Sequence, residues 1–109
     1  MDLIELIGNT PLVSLDHINP RADSVRILGK LEVRNPGGSI KDRAALSMVQ
    51  AGEQSGELTP DKILLEATSG NTGIGMAMVC AIRGYKCQLI MPESASIERR
   101  KIMLAYGAE

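Results

Sequence analysis

Apolar and polar residues change rhythm several times along this chain, and each change marks an element. Over residues 24–34, "SVRILGKLEVR", Val25, Ile27, Gly29, Leu31 and Val33 fall on one side, and Arg26, Lys30, Glu32 and Arg34, with Leu28, on the other. A period of two predicts a strand. "NPGGS" is a turn by composition. Ser39, followed three residues later by Asp42, resembles a capping box with Asp in place of the usual Glu or Gln. Ile40, Ala44, Ala45, Met48 and Val49 continue at helical spacing, and Gly52 or Gly56 should end that helix. "KILLEA", 62–67, is a short apolar run suited to a buried parallel strand. "TSGNTG", 68–73, is a loop. Residues 72–83 are apolar nearly all round, which predicts a buried helix with Gly84 as its C-cap. "KCQLIM", 86–91, predicts a further strand. Pro92 breaks it, and Ser94 or Ser96 caps a helix that stops near Gly107.

Strands alternating with helices imply an α/β fold built on a parallel sheet. The first 20 residues fit this pattern less well. "IGNTPLVSL" suggests a turn and a short strand, with "DHINPRADS" as a loose linker behind it. The last helix should lead into another parallel strand, so the chain is expected to be the front part of a longer protein.

Bulk properties then narrow the class. A chain of 109 residues suits one domain. Hydrophobic residues at 44% and charged residues at 23% are ordinary for a soluble globular chain. The net charge is −1, with 12 basic residues spread among 13 acidic ones. No basic stripe results, which argues against nucleic acid as a partner. Two Tyr, with no Phe or Trp, argue against a base-stacking surface. Arg99, Arg100 and Lys101, following Glu98, are read as a solvated helix face, with an anion site as the alternative. Cys80 and Cys87 are too few and too poorly spaced for a zinc site, and no metal is expected. They are read as buried free thiols in a reducing compartment. The N-terminus lacks a basic region and a long apolar core, so it is no signal peptide. The most apolar helix falls short of the roughly 20 residues that a membrane span needs. A cytoplasmic protein without a membrane partner is expected.

Two loops carry candidate chemistry. Ligands of open α/β sheets bind outside the carboxyl ends of the strands, and both loops run from strand to helix. In "TSGNTG", Thr68, Ser69, Asn71 and Thr72 offer hydroxyls and an amide, while Gly70 and Gly73 let backbone approach a ligand. The helix that starts here favours an anion, carboxylate or phosphate. The bland alternative is a polar helix cap that binds nothing. A Walker loop fails, because Lys41 is preceded by Ile40 and followed by Asp42. A dinucleotide fingerprint fails on the spacing of Gly70, Gly73 and Gly75. A looser nucleotide loop stays open. Lys41 is the second feature. With Ser39 as N-cap it lies in the first helical turn, where a cation is disfavoured by about 0.3–1 kcal/mol. Such a broken local rule often marks a functional site. Partial burial there would leave more free amine, a nucleophile toward carbonyls. The alternative is that Lys41 extends into solvent and Asp42 offsets its charge.

"NPGGSIKDRAA" and "EATSGNTGIG", with "IGNTPL" before them and "MPESASIERR" after, resemble the cysteine synthases and cystathionine β-synthases. These are pyridoxal-phosphate enzymes of the tryptophan-synthase-β fold type. The four motifs stand in the family's order and cover essentially the whole chain. The resemblance implies a three-layer α/β fold with a parallel sheet, here truncated. Residues 1–35 would pack largely with a large domain absent from this chain. Residues 36–109 would form part of a small α/β domain. Lys41 would form the internal aldimine with pyridoxal 5'-phosphate and move the α-proton. Asn71 would bond the cofactor's ring oxygen. Thr68, Ser69, Gly70 and Thr72 would hold the carboxylate of the amino-acid substrate. The implied reaction is β-replacement, in which sulfide displaces the leaving group of an activated serine such as O-acetylserine to give L-cysteine. Thr72 suits the cysteine synthase side, where related dehydratases and racemases usually carry His. "GGSIKDRAALSMV" looks most like the B-type cysteine synthases or cystathionine β-synthase. The family also implies a homodimer. The loop that grips the cofactor phosphate would lie outside this chain, so the 109 residues alone are expected to be inactive. A different class of reading, an inert fragment or interaction module, stays open.

Overall fold

The computed structural model describes residues 1–68 and 70–109. Its strands are β1 (Leu12–Ser14), β2 (Leu28–Lys30), β3 (Ile63–Ala67) and β4 (Lys86–Ile90). Its helices are α1 (Lys41–Ser55), α2 (Asn71–Arg83) and α3 (Ile97–Ala105), and single 3-10 turns cover Leu3–Leu6, Asp16–Ile18 and Glu32–Arg34. Gly56 and Gly84 end α1 and α2 in the left-handed conformation, at φ 76° and 79°, where a β-carbon is costly. Ser96 caps α3, its Oγ accepting from the Arg99 N–H.

The alternating segment 24–34 is not a strand of the parallel sheet. Only Leu28–Lys30 is extended, and it pairs antiparallel with Leu12–Ser14. Side-chain chemistry explains the short span. Asn19 Nδ2 donates to the Val25 carbonyl at 2.6 Å and holds the chain in a turn before β2. After β2, Glu32 is drawn toward α1, and the backbone turns at Leu31–Asn35. The "DHINPRADS" stretch is therefore folded back on itself.

β3 and β4 are parallel neighbours, in register from Ile63 opposite Lys86 to Ala67 opposite Ile90. A third parallel partner begins beside β4. The Leu89 N–H donates to the Glu109 carbonyl at 2.8 Å, and the Glu109 N–H donates to the Cys87 carbonyl at 2.9 Å. Evenly slanted bonds of this kind are the parallel pattern. Helices cover one sheet face. On the other, Ile63, Leu65 and Ile90 stay about half exposed, so one outer layer of the three-layer plan is present among the described residues. The radius of gyration, 16.9 Å, exceeds the roughly 13 Å of a compact domain this size. The excess reflects an elongated outline, 57 × 34 × 23 Å along its principal axes.

The core is α2. Residues 73–80 are all buried, and Ala45 and Val49 of α1, Cys87 of β4 and Met103 of α3 close around them. Cys80 and Cys87 are free buried thiols, as their apolar surroundings suggested. α1 and α2 start together and end together. At one end, a β-carbon built on Gly75 would lie 3.1 Å from Ala45 Cβ and 3.2 Å from the Lys41 carbonyl oxygen. At the other, Glu53 accepts from the Tyr85 hydroxyl at 3.1 Å and lies 3.9 Å from Arg83 Nη1. The two helices therefore run parallel, and the start of α1 stands at the same edge as the start of α2.

Gly75→Val should lower stability by about 1–3 kcal/mol through overpacking, read as a lower urea midpoint. Gly75→Ala should cost less, because alanine returns about 1 kcal/mol of helix propensity.

Candidate active site

Three strand-to-helix or turn-to-helix junctions meet at the carboxyl edge of β3 and β4: residues 35–41, 68–71 and 91–97. The first presents Lys41. Ser39 Oγ accepts the Lys41 N–H at 3.1 Å, just ahead of Ile40, which holds the N-cap position without a side-chain bond. Asp42 does not complete the expected capping box. Its side chain reaches past Ser39 to accept the Gly37 N–H at 2.5 Å. Asp42 is fully buried, and its Oδ1 has no partner among the described residues. Burial pushes this carboxyl above its ordinary value, and the Gly37 bond pulls it partly back. Position 37 must be glycine, since a β-carbon there would overlap the Asp42 carboxylate. The Pro-Gly-Gly turn is thus clamped to the helix one residue past the lysine. Lys41 itself is exposed, as in the alternative that it extends into solvent, because no other described element covers the edge.

An ion-pair network fixes the frame behind Lys41. Arg43 Nε donates to Glu32 Oε2 at 2.8 Å, and Arg43 Nη2 donates to Glu32 Oε1 at 3.0 Å. The same nitrogen donates to Thr10 Oγ1 at 3.1 Å, and Thr10 donates to Glu32 Oε1 at 2.5 Å. Asn35 links the set outward, donating to Glu32 Oε2 at 2.9 Å and accepting the Gly8 N–H at 2.9 Å. One forked guanidinium therefore ties the "GNTP" turn, the end of the β2 segment and α1 together. The Arg43 fork, then the Thr10 hydroxyl, hold the Glu32 carboxyl at about 2 against an ordinary 4.5.

The second junction is the polar loop. Thr68 Oγ1 accepts the Gly73 N–H at 3.1 Å and the Gly70 N–H at 3.4 Å. Thr68 thus helps cap the first turn of α2, a task its hydroxyl can combine with donating to a bound carboxylate. Of the N–H groups that a first helical turn leaves unpaired within the helix, those of Asn71 and Thr72 are the ones Thr68 does not take. Asn71 is exposed, while Gly70 and Thr72 are half-buried. Ser69 lies outside the described residues. Asn71 stands one turn before Gly75 on the same face of α2, and Gly75 packs on the Lys41 carbonyl. The starts of α1 and α2, and with them the backbones of Lys41 and Asn71, therefore share one mouth.

The third junction carries the basic cluster read as a solvated helix face or an anion site. Arg99 does not simply face solvent: its guanidinium lies over Gly70, with Nη1 3.4 Å from a β-carbon built there. Arg100 turns inward and donates to the Glu93 carbonyl. Arg99 and Lys101 remain exposed, as read for the cluster, while Arg100 is partly buried. For Arg99 the available signal was the one that marked Lys41, a cation in the first turn of a helix. Two cavities lie away from this edge. One of about 180 Å³ between β4 and α3 is lined by Leu89, Met91, Met103, Leu104 and Ala108. Another, of about 490 Å³, sits beside Gly8–Pro11. The candidate site is an open edge. Among the described residues, no cluster of metal ligands and no helix long and apolar enough to cross a membrane is present.

The family model described as pyridoxal-phosphate dependent enzyme matches residues 3–109. A cysteine synthase from Flavobacterium sp. is 57% identical over 106 residues, covering 97% of this chain and 34% of that protein. Cysteine synthase B from Salmonella typhimurium is 55% identical over 107 residues, covering 98% of this chain and 35% of that one. Among solved structures, a hydrogen sulfide-producing enzyme from Fusobacterium nucleatum superposes with a TM-score of 0.93 at 50% identity, over 99% of this chain and 35% of its own. The chain spans about a third of the length of the curated relatives it matches.

Stability should fall as pH drops from about 4.5 toward about 2. Glu32 gains its partners only when ionised, so its folded value is depressed, and its contribution is complete above the unfolded value and lost on protonation. Glu32→Gln should flatten this part of the profile and lower stability at pH 7, as denaturant unfolding at pH 3, 4 and 7 would show.

Proposed function

We propose that this chain, which belongs to the family of pyridoxal-phosphate dependent enzymes, is the part of a cysteine synthase that carries the reactive lysine and the carboxylate loop. The observation that carries the reading is the shared mouth: α1 and α2 run parallel, and Gly75 against the Lys41 carbonyl brings Lys41 and Asn71 to one edge. The residues present fit pyridoxal 5'-phosphate and an amino acid. Lys41 offers an exposed primary amine for an aldehyde carbon. Asn71 offers an amide for a ring oxygen. When bound, the cofactor supplies the electron sink that makes chemistry at the substrate's α- and β-carbons accessible.

The chain's own residues do the rest. Lys41 Nζ would hold the cofactor and would be the base for the substrate's α-proton. The N–H groups of Asn71 and Thr72, the Thr72 hydroxyl, Gly70 and Ser69 bind the substrate carboxylate, while Thr68 holds the loop in place through its two backbone bonds. This is anion binding at a helix N-terminus. The substrate is an activated serine such as O-acetylserine, which exchanges its leaving group for sulfide to give L-cysteine. The relatives named cysteine synthase support this over the cystathionine reading. Residues 1–35 leave Leu6, Leu12, Ile27 and Leu28 more than two-fifths exposed. We assign that surface to packing against a larger domain, with residues 36–109 forming part of the smaller one. The working enzyme is a cytoplasmic homodimer.

The test is made on the full-length protein that contains this segment. With pyridoxal 5'-phosphate it should gain visible absorbance, and borohydride should attach the cofactor to the peptide containing Lys41. Lys41→Ala should lose both signals and reduce turnover of O-acetylserine by about 10²–10⁴-fold or more. Labelling of another lysine, or an unchanged rate in Lys41→Ala, would overturn the assignment.

A further inference from the structure

The loop that accepts a carboxylate in this reading carries no charged side chain at Thr68, Gly70, Asn71 or Thr72. Lys41 is committed to the cofactor. Arg99 supplies a cation at this edge from another element. It lies in the first turn of α3, with its N–H on the Ser96 cap. A helix N-terminus opposes a positive charge at that position, so helix stability does not account for an arginine there. Its side chain folds back across the junction onto α2. A β-carbon built on Gly70 would lie 3.4 Å from Nη1, 3.6 Å from Cζ and 3.9 Å from Nη2 of Arg99. These three near-equal distances place the guanidinium plane flat over the residue that opens α2. The neighbouring Arg100 has a different task, since it holds the 91–96 loop through the Glu93 carbonyl.

We propose that Arg99 is a substrate-positioning residue, which braces the Gly70 turn from above and adds the positive charge that draws an amino acid in by its carboxylate. This rests on the reading of residues 68–72 as the carboxylate loop. A planar, permanently charged fork suits both tasks better than a lysine would. Because Arg99 comes from α3, it also makes carboxylate affinity depend on how α3 sits against α2. The contact of Met103 with α2 contributes to that seating.

The experiment uses the full-length protein loaded with pyridoxal 5'-phosphate, and compares Arg99→Gln and Arg99→Lys with the parent. Two probes are titrated while the visible absorbance is followed: L-serine, and L-serinamide, which keeps the amine and hydroxyl but lacks the carboxylate. Arg99→Gln should weaken L-serine about tenfold, the scale of a lost charge-assisted contact, and change L-serinamide less than about twofold. Arg99→Lys should recover part of the loss, since it keeps the charge and loses the fork. Absorbance without added ligand should not move. Equal weakening of both probes, or of neither, overturns the role of Arg99. If Arg99→Gln does not fold, Arg99→Lys decides: a loss of about threefold confined to L-serine supports the proposal, and no loss overturns it. A parent protein that binds both probes equally would instead overturn the carboxylate loop itself, which separates the two failures.

Discussion

The structure hangs on the absence of one side chain. Gly75 lets α2 lie directly on the first turn of α1, against the Lys41 carbonyl and Ala45. With even a methyl group there, the two backbones must move apart by a few tenths of an ångström. Close-packed interiors transmit such shifts rather than absorb them. The contact sits one turn below Asn71 and at the very residue whose amine is reactive in the proposed function. Packing and chemistry are therefore set by the same contact.

Two polar devices hold the other side of that turn, with opposite electrostatic character. The Arg43 fork binds Glu32 and Thr10 where water still reaches, and it favours the charged carboxylate. Asp42 is sealed away with one backbone donor and an oxygen lacking a partner among the described residues, and its surroundings disfavour the charge. Buried groups so incompletely paired reduce stability. The arrangement is intelligible as a constraint: Asp42 fixes the Pro-Gly-Gly turn so that the next residue back, Lys41, leaves the helix in one direction.

Much of this was legible in the residues. Helices α1, α2 and α3 follow from spacing and from Gly56, Gly84 and Ser96, whose conformations depend on local chemistry alone. β3 and β4 follow from short apolar runs between turn signals. The segment 24–34 misled because period two records alternation, and here alternation serves a short antiparallel pair and a charged tether to Arg43. No local pattern announces a partner eleven residues away on another element. The capping box failed for a related reason. Asp42 had two donors within reach, and the Gly37 N–H won. The Gly70 contact of Arg99 was hidden because a run of three cations looks uniform in sequence, while Arg99 and Arg100 reach different partners. Lys41 and Asn71 were placed together by family resemblance; their common edge is a matter of helix direction, which spacing along the chain does not encode.

The parallel course of α1 and α2 has a cost of its own. Helices lying side by side in the same sense set like poles next to each other, and those poles repel. Here α3 adds a third start at the same rim, along with Arg99 and Lys41. In the proposed function, negative charge arriving at that rim would relieve the repulsion, so the ligand would act as mortar between the helices as well as cargo. Occupancy and rigidity of this half of the fold must then rise together.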